Sequence, residues 1–157
     1  MERDAAQRVL VKQRADLDRI KSEIQANKEV VRQTTSLVSA RRSELLQQVQ
    51  SIFQIKSIKP PLFSLSDIHL PNSDYNGHDD EQIAAALGWT CQIVLVMAYY
   101  CDVPLVFTIN PMGSRSTIRD DVFSGQEFPL YNKKGEQQNF QRGVFFLNKS
   151  IEQVPNK

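Results

Sequence analysis

The sequence predicts an α+β protein in two parts: a long coiled-coil helix over residues 1–57 and a small globular domain over residues 58–157. Three observations carry this reading. The first 52 residues contain neither proline nor glycine, and Leu10, Leu17, Ile24, Val31, Val38, Leu45 and Ile52 recur in them at a strict spacing of seven. Lys59-Pro60-Pro61 then closes the helical register, because proline lacks the amide that a helix needs and restrains the residue before it. Beyond that break, Ile83 to Cys101 is an apolar run without a charge, followed by short β-branched segments and a Gly113-Ser-Arg-Ser-Thr117 turn.

In the N-terminal part, with the seven-residue column at position a, position d holds Gln13, Ile20, Asn27, Thr34, Arg41 and Gln48, and only Ile20 is apolar. A seam with one apolar column and one polar column associates weakly with its own copy, since each polar d residue must find a partner or be desolvated. The charges beside the seam, Asp16, Glu23 and Glu44 on one flank and Arg14, Lys21, Lys28 and Arg42 on the other, suit interchain pairing and are compatible with a homodimer as well. A solvated helix would leave the column unused. At about 1.5 Å per residue it would also extend roughly 75 Å. The pattern favours a heterodimer. Its predicted contact residues are Leu10, Leu17, Ile20, Ile24, Val31, Val38, Leu45 and Ile52.

The globular part reads as follows. Leu62 to Leu65 and Ile68 to Leu70 are short strands separated by Ser66-Asp67, and Asn72 to Gly77 is a loop. Asp79, with Gln82 three residues on, opens a helix that runs from about Asp80 to Cys101 and stops near Val103-Pro104. Leu105 to Ile109 is a strand, Pro111-Met112-Gly113 turns the chain, and Ser114 or Ser116 caps a short helix through Ile118 and Val122. Phe128 to Tyr131 and Gln138 to Phe146 form a hairpin about an Asn132-Lys133-Lys134-Gly135 turn, and a last helix covers Leu147 to Val154.

Composition excludes several function classes. The net charge of +1 gives no global attraction to nucleic acid. It divides into ten Lys/Arg against seven Asp/Glu in residues 1–52, and nine against eleven in the rest. Ile83 to Cys101 is long enough for a membrane span, but its flanks Asp79-Asp80-Glu81 and Asp102 are acidic. No Lys or Arg occurs between Lys59 and Arg115, so a buried core helix is the better reading. Cys91 and Cys101, on one helix about 15 Å apart, cannot form a disulfide and read as buried thiols of a reducing compartment. The N-terminus has no secretory h-region.

No catalytic residue set, metal site or cofactor is expected. His69 and His78 lack metal-spaced neighbours, and the Gly113–Thr117 turn is neither a nucleophile elbow nor a phosphate loop. Arg115 and Arg119 beside helix-start amides are candidate anion contacts, with pairing to Asp120 or Asp121 the structural alternative. Lys133 and Lys134 are candidate membrane contacts of about 1 kcal/mol each. The alternative function they describe is a homodimeric tether whose globular end binds anionic membranes.

Five motifs occur in order: Ala86-Leu-Gly-Trp-Thr90, Val103-Pro-Leu105, Gly113-Ser-Arg-Ser-Thr-Ile-Arg-Asp120, Phe128-Pro-Leu-Tyr131 and Gly143-Val-Phe-Phe-Leu-Asn-Lys149. Together they resemble the C-terminal domain of the UV radiation resistance-associated protein family over roughly Leu62 to Val154, with the heptad helix where that family has its coiled coil. The resemblance implies a β-α repeat-like lobe. It also implies a non-catalytic regulatory subunit of the class III phosphatidylinositol 3-kinase complex, paired with a beclin-type coiled-coil subunit. Through the complex it would meet the kinase and its pseudokinase-like regulatory subunit, cytoplasmic and peripheral on endosomal and late autophagic membranes. The Gly113–Thr117 block favours this family over the sister subunit that directs the kinase to autophagosome formation. The family's C2 domain and long tail are not among these residues, so the chain is expected to be a fragment.

Overall fold

The computed structural model describes residues 2–59, 62–71, 75 and 77–154. The Pro60-Pro61 break and most of the Asn72–Gly77 loop lie outside the described residues. The chain divides into two compact units, Met1–Ser43 and Glu44–Lys157. Helix α1 spans Glu2–Ile52. It contains no helix breaker, and on its surface Asp16–Arg19, Asp18–Lys21 and Glu29–Arg32 form pairs at i,i+3.

The second unit begins with the last turns of α1. Strands β1 (Lys56–Lys59), β2 (Leu62–Leu65) and β3 (Ile68–Leu70) form an antiparallel sheet in that order. Ser66 and Asp67 both take left-handed φ values, 48° and 64°, the geometry of a two-residue hairpin that follows strand twist. Helix α2 (Asp80–Cys101) starts as predicted, with the Asp79 carboxylate accepting from the Glu81 amide at 3.0 Å. It ends at a left-handed Asp102, after which the Val103 amide donates back to the Ala98 carbonyl at 2.9 Å.

A second antiparallel sheet follows, of β4 (Thr108–Asn110), β5 (Thr117–Arg119) and β6 (Glu127–Pro129), with a 3-10 turn at Gly113–Arg115 between β4 and β5. Helix α3 (Gln137–Gln153) closes the unit. Three expectations fail in this half. The strand expected over Leu105 to Ile109 begins only at Thr108 and runs to Asn110. The segment after Ser116 is strand β5 rather than a helix through Val122, because Ile118 is fully buried between the β4 and β6 neighbours it pairs with. Gln138 to Phe146 is the start of α3 rather than a strand, and Lys133 and Lys134 precede a helix instead of tipping a hairpin. The buried Phe140, Gly143, Val144, Leu147 and Ser150 recur at intervals of three and four, which is a helix face.

Two apolar clusters flank α2. Ile83, Leu87, Cys91, Val94 and Ala98 pack on Phe107, Ile109, Ile118, Phe128, Leu130 and the inner face of α3. Ile93, with Val96, Met97 and Tyr100, packs on Val49 and Phe53 from the end of α1 and on Leu65. A helix covered on two sides must be apolar on two sides, and this explains its membrane-like composition. α2 is the one described helix long and apolar enough to cross a bilayer, and just over half of its most apolar stretch is buried.

Candidate functional site

Leu10, Leu17, Ile20, Ile24, Val31 and Val38 all lie exposed along α1, as do Val30 and Leu37 on the position before the column. Leu45 is half-buried and Ile52 is exposed at the final residue of the helix. Val49, between the column residues Leu45 and Ile52, turns into the core of the second unit instead. The column is therefore an apolar stripe presented to solvent. Isolated exposed leucines need no explanation, but a periodic stripe of them along one helix has the pattern of a coiled-coil seam.

The motif-rich part of the lobe forms a clasp. Helix α2 meets the 3-10 turn so closely at Gly88 that a Cβ there would strike the Gly113 carbonyl, with the carbonyl carbon at 2.6 Å. Gly113 itself takes φ +59°, open to glycine without strain. The buried Ser116 hydroxyl donates to the Gly113 carbonyl at 2.7 Å and accepts from the Met112 amide at 3.0 Å. Gly143 of α3 repeats the close approach, since a Cβ there would sit 2.7 Å from the Pro129 carbonyl oxygen. Four of the five recognisable motifs thus meet in pairs where backbone packs on backbone.

Asp120 directly follows β5 and is 3% exposed. Its carboxylate accepts from the amides of Val122, Phe123 and Ser124 at 3.1, 3.0 and 3.2 Å, and from the Ser124 hydroxyl at 3.0 Å. Burial is the largest single influence on this group and opposes its charge. The donors of Phe123, Ser124 and Val122 together outweigh it and hold the carboxyl below its usual value. Asp121 is held low by the Thr108 hydroxyl and then Arg119, and Glu127 by Thr117 and then Asn110. Sequence reasoning missed the Asp120 latch; the signal available was Asp followed by a Ser-Gly pair four residues on, a turn signature.

These depressed carboxyls fix a sign. Their contribution to stability is complete above their unfolded values, roughly pH 4, and is lost as pH falls through the lower folded values. Asp120→Asn is accordingly expected to lower the urea midpoint near neutral pH, about pH 7, and to converge with wild type below about pH 4. Parallel pH curves for the two proteins would contradict the assignment.

The four cations singled out in the sequence do not share one place. Arg119 pairs with Asp121 at 2.5 Å and Lys133 with Glu136 at 2.6 Å. Arg115 lies exposed in the 3-10 turn, and Lys134 is exposed before α3. Strand register puts Arg119 opposite Glu127, while the Leu130 amide donates to the Ser116 carbonyl. The sheet end that carries Arg115 is therefore the end from which the chain continues to Lys133 and Lys134. Arg119 is at the other end.

The described residues contain no His, Cys, Asp and Glu group able to hold a metal ion. Cys91 is fully buried, and burial pushes its thiol up to about 12, against weaker opposite pulls from its own backbone and the Ser116 hydroxyl. Cys101 is half-buried. A thiol-specific reagent is expected to titrate Cys101 alone in the native protein and Cys91 only after unfolding; rapid native modification of both would show that the α2 core opens.

An exposed heptad helix joined to an α+β lobe whose motif-bearing turns are structural clasps defines a helical protein with a small folded lobe. The family described as Vacuolar sorting 38 and autophagy-related subunit 14 matches residues 2–154, and the chain belongs to that family. It is 35% identical over 148 residues to the mouse UV radiation resistance-associated protein, covering 90% of this chain and 21% of that protein. It is 25% identical over 164 residues to the fruit fly (Drosophila melanogaster) UV radiation resistance-associated gene protein, covering 92% and 24% respectively. The chain spans less than a quarter of the length of these relatives.

Proposed function

We propose that this chain is a non-catalytic regulatory and scaffold segment of a class III phosphatidylinositol 3-kinase complex, acting in endosomal trafficking and autophagy. It pairs through the Leu10–Ile52 column with a beclin-type coiled-coil subunit, and the complex then presents the kinase and its pseudokinase-like regulatory subunit at endosomal and late autophagic membranes. The observation that carries this reading is the exposed apolar column on α1 in a chain of the autophagy-related subunit family. The polar d column supports a partner different from this chain, because two copies would face Asn27, Thr34 and Arg41 against themselves. Co-expression with a beclin coiled-coil fragment, followed by sizing with mass determination, tests it. A one-to-one heterodimer is the expected result; a stable homodimer indifferent to beclin would defeat the proposal and favour the tether.

A further inference from the structure

We propose that the Asp121–Ser124 turn between β5 and β6 is a membrane-inserting tip, with Phe123 and Val122 as the inserted side chains and the interfacial layer of a lipid bilayer as the ligand. The inference rests on the reading that the lobe works at a membrane, and adds to it the part of the lobe that enters.

Phe123 is 85% exposed and Val122 56% exposed, side by side at the apex of a turn. Neither contributes to either apolar cluster of the lobe. An apolar apex alone is not enough to choose a ligand; the backbone beneath it decides. Loop amides that lean on water lose their partners when they enter an apolar layer, at a cost for each stranded group. In this turn the amides of Val122, Phe123 and Ser124 donate to the Asp120 carboxylate, and the Gly125 amide donates to the Asp120 carbonyl at 2.7 Å. Every main-chain N–H from residue 122 to residue 125 is satisfied inside the turn. The apex can leave water without stranding a donor.

The charges stop below the apex. Asp121 turns back to Arg119 and to the Thr108 hydroxyl, and the Asp120 carboxylate is buried at the base. The neighbouring strand adds to the same end, because Thr108 pairs with Arg119 and the exposed Val106 lies two residues before Thr108. A protein partner reads an interface through polar groups around an apolar centre. This apex has no main-chain donor left to be read, whereas a bilayer requires none. The convex, donor-satisfied tip therefore fits lipid better than a protein groove.

The test uses the full 157-residue chain and vesicles of phosphatidylcholine, with and without phosphatidylserine. Wild type is expected to cosediment with both. Phe123→Ser should weaken binding about tenfold, from the loss of one buried aromatic side chain, with an unchanged thermal midpoint. Phe123→Leu should retain most of the binding, and Met112→Ser, at a site 70% exposed beyond the opposite end of the second sheet, should retain all of it. Equal vesicle binding by wild type and Phe123→Ser would overturn the inference while leaving membrane association standing. Absence of wild-type binding to either vesicle would also overturn it, and beclin-fragment pairing measured on the same preparation shows separately whether the scaffold reading survives. Capture of a soluble protein through Phe123 without vesicle binding would overturn it as well.

Discussion

Replacing Val31 and Val38 together by aspartate is expected to weaken pairing with a beclin coiled-coil fragment by a thousandfold or more. Each removes an apolar side chain whose burial contributes about 1.5–3 kcal/mol, and each places an unpartnered carboxylate in the seam. About 5 kcal/mol corresponds to more than three decades in affinity. Both residues are exposed in the unpaired helix, so the variant loses no packing of its own and keeps its helical circular dichroism. Ser22→Asp with Ser36→Asp, five positions after a column residue and hence on the opposite helix face, serves as the control and should pair normally. Binding by the column variant within a few-fold of wild type, measured by calorimetry or sizing, would remove the column from the interface.

The second large effect concerns Gly88. In an ordinary helix interior, glycine to alanine stabilises by up to about 1 kcal/mol, since glycine is the poorer helix former. At Gly88 the sign reverses. The added Cβ meets the backbone of Gly113, which cannot rotate away as a side chain would, and the 3-10 turn must shift with Ser116 latched to it. Gly88→Ala is expected to destabilise by about 3 kcal/mol and to lower the thermal midpoint of the lobe by on the order of 10 °C. A neutral or stabilising result in a urea melt would mean that the turn does not rest on α2. Gln92→Ala, an exposed position one turn on, should change stability by less than about 0.5 kcal/mol.

What could be read directly from the residues follows periodicity and punctuation. The seven-residue column extends over the whole of α1, and the Asp79 cap and Val103-Pro104 stop bracket α2 within a residue. The Leu62–Leu65 and Ile68–Leu70 pair was legible because Ser66-Asp67 tolerates left-handed backbone. Strands β4, β5 and β6 are three residues each, too short for any period to show. In α3 the adjacent Val144-Phe145-Phe146-Leu147 looks like a continuous strand, and its helical identity emerges only when Phe140, Ser150 and Val154 are counted with it. The helical column of the candidate site was visible because it repeats. The Asp120 latch and the Phe123 tip were not, because their meaning lies in hydrogen bonds made within one turn and in what fails to cover a side chain.

The position of α2 between two layers also bears on how the chain is made. During synthesis the end of α1 and the first sheet precede α2, so the cover for its Ile93 face is available as soon as it leaves the ribosome. The cover for its Leu87–Cys91 face, the second sheet and α3, is still to be translated. For that interval a charge-free segment of membrane-span length stands half dressed, with the first sheet as its escort and the Asp79–Glu81 and Asp102 carboxylates holding both of its ends in water.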